Sequence, residues 1–142
     1  MIVPDVNILV YAFRAEAPEH DVYTTWLRTA LATEDIGVCD ATLSGFVRIV
    51  THPHITTAPA PVTAATEFAA RVLAAPRTRW LSQGAVAWGR FGELAVADPG
   101  IRGNLVPDAH LAALCLTNGA TLATRDRGFA RFPNLRWFDP AR

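Results

Sequence analysis

The chain has 142 residues, 51% hydrophobic and 18% charged, the make-up of one compact domain that buries its core without disulfides or structural zinc. Its 13 basic and 13 acidic residues balance, which excludes a polybasic nucleic-acid binder; every basic residue is arginine, so Walker-A loops, Schiff-base enzymes and receiver domains lose the lysine they need. Cys39 and Cys115 read as small buried hydrophobes, no basic leader accompanies the opening MIVPDVNILVYAF, and no apolar run reaches the roughly 18 residues of a membrane span, so the expected location is the cytoplasm.

Short β-type runs alternate with helical periodicities along the chain, the pattern of a mostly parallel sheet of about four or five short strands flanked by helices, all in one domain over 1–142. Ile2 and Val3 begin the first strand, Pro4 limits it, and Asn7 to Phe13 forms a helix, leaving Asp5 at the strand's carboxyl end. Pro18 with Glu19 and Asp21 suits the start of a second helix. Ile36 to Val38 reads as strand two, and Asp40 as the N-cap of a helix with Leu43, Phe46, Val47 and Val50 on one face, ending at Pro53. The proline- and threonine-rich stretch from Pro53 to Pro61 is the least ordered part by composition, and Thr63 then caps another amphipathic helix. A strand near Arg79 to Leu81 and a helix from about Gln83 to Val96 follow. Pro107 starts the next helix, which Asn118-Gly119 terminates; Thr121 to Thr124 and Leu135 to Phe138 are the last strands.

In an open parallel sheet, ligands gather at the carboxyl ends of the strands. Asp5 lies at one such end, Asp108 opens the helix after the Gly103-Asn104-Leu105-Val106-Pro107 turn, and Asp126 follows strand four. A lone aspartate after a strand is usually a helix or turn cap, but three at equivalent ends would repel one another unless a cation neutralised them. Oxygen donors without histidine or thiolate at ligand spacing suit magnesium or manganese, and such an ion polarises phosphoryl oxygens and activates water. A phosphatase fits less well than a nuclease, because Asn7 stands where a DxD pair would have its second acid and lysine is absent.

These residues carry a resemblance. The opening Ile2-Val3-Pro4-Asp5-Val6-Asn7, the run from Gly103 through Pro107-Asp108-Ala109-His110 to Leu114, and Ala120-Thr121-Leu122-Ala123-Thr124-Arg125-Asp126-Arg127-Gly128-Phe129 resemble the motifs of PIN domains, above all those of VapC toxins of type II toxin–antitoxin systems. The likeness extends to Gly45-Phe46-Val47-Arg48-Ile49-Val50-Thr51-His52-Pro53 and to Phe132-Pro133-Asn134-Leu135-Arg136-Trp137, covering essentially the whole chain. It implies a PIN-like fold and a magnesium-dependent endoribonuclease, with manganese as a substitute, that cuts transfer or ribosomal RNA. It also implies neutralisation by a VapB-type antitoxin and assembly as a homodimer. By the same resemblance Asp5, Asp108 and Asp126 are metal-site carboxylates, oriented by Asn7 and Thr124. One departure stands out: PIN domains usually carry a glutamate on the helix after strand two, where this chain reads Leu43-Ser44-Gly45-Phe46. Asp40, on the same helix, is a candidate substitute ligand.

Arg48, Arg125 and Arg127 are the arginines placed to meet RNA phosphate, although each also reads as a solvated surface residue. Trp26, Trp80, Trp88 and Trp137 read as core or dimer-interface residues, and the histidines as packing or surface groups. His110 falls on a different helix face from Asp108. Two other functions compete. One is a metal-independent ribonuclease using Arg48 with His52 or His54, against which Pro53 argues by interrupting their common facing. The other is a PIN fold that only binds RNA or protein because its glutamate is missing.

Overall fold

The computed structural model describes all residues, 1–142. Five strands, β1 (Ile2–Pro4), β2 (Ile36–Val38), β3 (Thr78–Trp80), β4 (Thr121–Ala123) and β5 (Arg136–Phe138), form one sheet in the order β3-β2-β1-β4-β5. Every pairing is parallel, so the mostly parallel sheet expected from the sequence is parallel throughout. Parallel strands need crossovers, and six helices supply them: α1 (Val6–Phe13), α2 (His20–Thr33), α3 (Asp40–Thr51), α4 (Val62–Leu73), α5 (Ala85–Ala97) and α6 (Leu105–Thr117). Pro4 ends the central strand and cannot donate to the ladder, but the next amide, Asp5, bonds to the Ala123 carbonyl at 2.9 Å and carries the pairing forward.

The alternation of side chains along the strands divides the interior into two cores. Ile36 and Val38 face one core with Leu9, Tyr23, Leu43 and Phe46 from the first three helices, and Ile2 packs against it. Val3 and Leu122 face the other, with Leu94 from α5, and Ala112, Ala113 and Leu114 from α6. Small alanines on α6 let it lie close to the sheet, and the helix is buried at Ala109 and from Leu111 through Cys115.

Several boundaries differ from the sequence expectation. Cys39, not Asp40, is the N-cap of α3; Asp40 is the first helical residue and is exposed. Pro61 precedes α4, so Thr63 lies inside that helix instead of capping it. Helix α6 starts at Leu105, because Pro107 falls within the first turn, where the backbone N–H it lacks has no partner in any case. Strand β4 stops at Ala123, and a short 3-10 helix, Arg127–Arg131, follows it. The stretch from Pro53 to Pro61 holds no helix or strand, as its composition suggests; within it Thr56 is buried, and the Ala60 amide donates to the Val50 carbonyl at 2.8 Å. Two tryptophans are not core residues, since Trp80 is 51% and Trp88 63% exposed.

Candidate metal centre

The order in which strands are added reverses at β1: β2 and β3 lie on one side, and β4 and β5 on the other. A crevice therefore opens at the carboxyl ends of β1 and β4, and the sequence puts an acid at each. Asp5 caps α1, its Oδ1 accepting the Val6 amide at 2.7 Å. Its Oδ2 accepts the hydroxyl of Thr124 at 2.8 Å, and the same hydroxyl oxygen accepts the Asp126 amide at 3.0 Å. Thr124, fully buried just past β4, thus locks the end of one strand to the loop of the next. Asp126 is exposed and caps the 3-10 helix, accepting the Gly128 amide at 2.7 Å. Asp108 comes from the first turn of α6.

Asp5 and Asp108 both feel neighbouring negative charge. Burial pushes the Asp5 carboxyl above its ordinary range, against the stabilising hydrogen bonds of Thr124 and Val6, and the Asp126 charge adds to the rise. Asp108 is pushed up to about 6, first by burial and then by the charges of Asp5 and Asp126, with no hydrogen bond to offset them. No three His, Cys, Asp or Glu side chains come together closely enough to hold a metal ion between them, however. The arrangement is an open acidic crevice, not a ready-made cage.

Asp5 and Asp108 line a cleft of about 320 Å³ together with Thr42, Gln83, Trp88, Phe91 and His110. The sequence expectation placed His110 away from Asp108; the fold instead brings both to this cleft, with the Nε2 atom of His110 buried and unpartnered. The other side chains singled out from the sequence lie elsewhere. Asp40 is exposed and does not line the cleft. Asn7 is exposed and makes no hydrogen bond to Asp5, whose partners are Val6 and Thr124. Gly45 faces Val6, where an added Cβ would come 3.2 Å from Cγ2, so a larger residue would need Val6 to give way. Arg125 is occupied by Glu19 and lies over the Tyr11 ring, 5.5 Å from its centre. Arg127 and Arg48 are exposed; Arg127 lines a separate arginine-rich hollow with Arg125 and Arg142. His52 and His54 stack edge to face at 5.8 Å, away from the carboxylate cleft.

The walls of the cleft escaped sequence reasoning. Trp88, Phe91 and Gln83 belong to the α5 region, and nothing in their spacing says that this helix borders the strand ends.

Comparison with known proteins agrees with this architecture. The PIN domain family model matches residues 2–135. Ribonuclease VapC43 of Mycobacterium tuberculosis is 44% identical over 99% of this chain and 95% of its own length, and Ribonuclease VapC33 of the same species is 33% identical over 100% and 99%. Among solved structures, VapBC2 from Rickettsia felis, crystallised on a promoter DNA fragment, superimposes with a TM-score of 0.70 at 22% identity, covering 98% of each chain. FitAcB from Neisseria gonorrhoeae gives 0.69 at 20% identity, over 99% of this chain and 98% of that one. The fold is shared with both, and full-length identity to the mycobacterial enzymes places the chain in the PIN-domain family, as a VapC ribonuclease.

Proposed function

We propose that Asp5 and Asp108, with Asp126 beside them, hold magnesium, or manganese in its place, for the hydrolysis of RNA phosphodiester bonds, transfer or ribosomal RNA being the substrate class. The observation that carries this reading is the placing of Asp5 and Asp108 in one cleft at the switch point of the sheet, where burial and then the charges of Asp5 and Asp126 push Asp108 up to about 6. Magnesium fits such a set because it keeps several of its waters and takes only one or two carboxylates plus substrate phosphate, so no closed cage is required. When bound, the ion supplies Lewis-acid polarisation of the phosphate and a more acidic water. The chain's own residues do the rest. Thr124 fixes the direction of Asp5, Asp126 adds charge from the rim, and Arg127, with Arg48 farther along α3, attracts the RNA backbone. Arg125 is committed to Glu19, so its part is to hold the loop beside Asp126.

Removing metal with EDTA is expected to abolish cleavage, and magnesium or manganese to restore it; cleavage that survives chelation would overturn the carboxylate mechanism in favour of an arginine–histidine one. In the same assay Asp40→Asn is expected to leave metal affinity and rate unchanged, since Asp40 stands outside the cleft; a loss of metal stoichiometry would return it to the site. Thr124→Val removes the hydroxyl bridging Asp5 and Asp126 and is expected to cost about 10- to 100-fold in metal affinity or activity, read by magnesium titration and initial rates.

The partners follow the same reading. Structural neighbours are VapBC and FitAB proteins, which supports a small VapB-type antitoxin as the inhibitor of this chain. Growth arrest on expression, lost with Asp5→Ala and relieved by co-expressing an adjacent short reading frame, tests toxin and antitoxin together; arrest that persists with Asp5→Ala would favour binding without chemistry. Homodimerisation completes the proposal, and sedimentation of the isolated chain tests it.

A further inference from the structure

Trp88 is held in place yet left uncovered. Its ring lies 5.2 Å from Phe91 at 32° and meets His110 edge to face at 5.7 Å, while Phe91 and His110 cross at 89°. Three rings therefore brace one another, and the indole still remains 63% exposed. An indole immobilised by neighbours but open to water forgoes the transfer free energy of burial, which marks it as a surface for something to cover. Its location says what. Trp88, Phe91 and His110 line the same cleft as Asp5 and Asp108, and Gln83 contributes an amide donor and acceptor to that wall.

We propose that the open face of Trp88 is the platform on which a nucleobase of the RNA stacks, its phosphate meeting the magnesium that Asp5 and Asp108 would hold. The inference rests on the ribonuclease reading above and adds the residue that positions the base. A phosphate in the acidic crevice brings its own nucleoside within reach of the same cleft. Every base offers a flat π-face to an aromatic platform, whereas in an A-form duplex that face is already covered by neighbouring pairs. Substrates are therefore loops, bulges or ends whose base next to the cut can swing out onto the indole.

The test uses the full-length chain in an Asp108→Asn background, which does not cut, and reads anisotropy of a short labelled RNA, single-stranded or annealed to its complement. Single-stranded RNA is expected to bind more tightly than duplex; Trp88→Ala should weaken single-strand binding about ten-fold or more and erase that preference, while Trp88→Phe retains most of it. Trp80→Ala, which removes an exposed indole on β3 away from the cleft, should change neither. With Asp108 restored and magnesium present, Trp88→Ala should lower kcat/KM by a similar factor. An abasic nucleotide beside the cut should cost the wild type the same factor and Trp88→Ala nothing further. Equal binding by Trp88→Ala and wild type, or equal losses on duplex and single strand, overturns the stacking role. A Trp88→Ala chain that sediments as a smaller species and regains activity at high protein concentration overturns it too, in favour of an interface between copies. If wild type and Trp88→Ala cleave alike, stacking fails alone; if wild type and Asp5→Asn are equally inert, the ribonuclease reading fails with it.

Discussion

Exchanging Asp108 for asparagine is expected to reduce magnesium-dependent RNA cleavage by about a thousand-fold or more, and at the same time to make the metal-free protein harder to unfold at neutral pH. Both effects have one cause. Asp108 sits half-buried with two like charges acting on it and no donor to compensate, which raises its pKa from 3.8 to about 6. The folded state therefore holds that proton more tightly than the unfolded chain does. Stability linked to this group is fully present below about pH 4 and is lost as pH rises towards and past 6, the reverse of a salt-bridged carboxylate. At face value the shift is worth about 3 kcal/mol; because the group is half exposed, solvent screens it and about 1 kcal/mol is expected. Melting in EDTA across that range should show wild type losing Tm relative to Asp108→Asn as pH rises. Added magnesium should then reverse the order by stabilising only wild type. A variant that loses activity without gaining metal-free stability would mean that the charge at Asp108 is compensated in solution and carries no such strain.

Phe46→Ala is expected to cost about 3–5 kcal/mol, a large share of the 5–15 kcal/mol available to a domain. Phe46 is fully buried on α3 and packs at 5.4 Å against Phe13 of α1 and at 5.2 Å against Phe68 of α4, which are themselves 5.4 Å apart. This ring triad fastens three helices that cover the same face of the sheet. It also acts on the crevice from a distance, since α1 is capped by Asp5 and α3 presents Ala41 and Thr42 to the cleft. In urea the midpoint should fall with the slope unchanged; a changed slope would show that the denatured state or the compactness of the fold had altered instead.

Where periodicity was strong, the sequence was an accurate guide. Strand β2 and the end of α3 fall where Ile36 to Val38 and Pro53 put them, because both signals are local. Asp5 at the end of the first strand was equally legible, since a strand, a proline and a helix leave an intervening acid little other place. What failed depended on contacts between distant segments. The local capping rule picked Asp40, yet Cys39 occupies the cap position and Asp40 turns to solvent. Asn7 resembles an orienting group in the motif, but Asp5 is already satisfied by Val6 and Thr124, and the latter bond spans 119 residues. The four tryptophans looked alike on paper, and only the packing of α5 against α6 sets Trp88 at the cleft, where Trp26, Trp80 and Trp137 do not reach.

The position of β1 has a consequence for the cell that makes this protein. Strand β1 occupies the centre of the sheet, and the acid at its end is held in place by a threonine that is synthesised 119 residues later. A nascent or prematurely terminated chain that stops before Thr124 lacks both that clamp and Asp126, and so carries no assembled crevice. Assembly of the crevice therefore waits for the segment that carries Thr124 and Asp126.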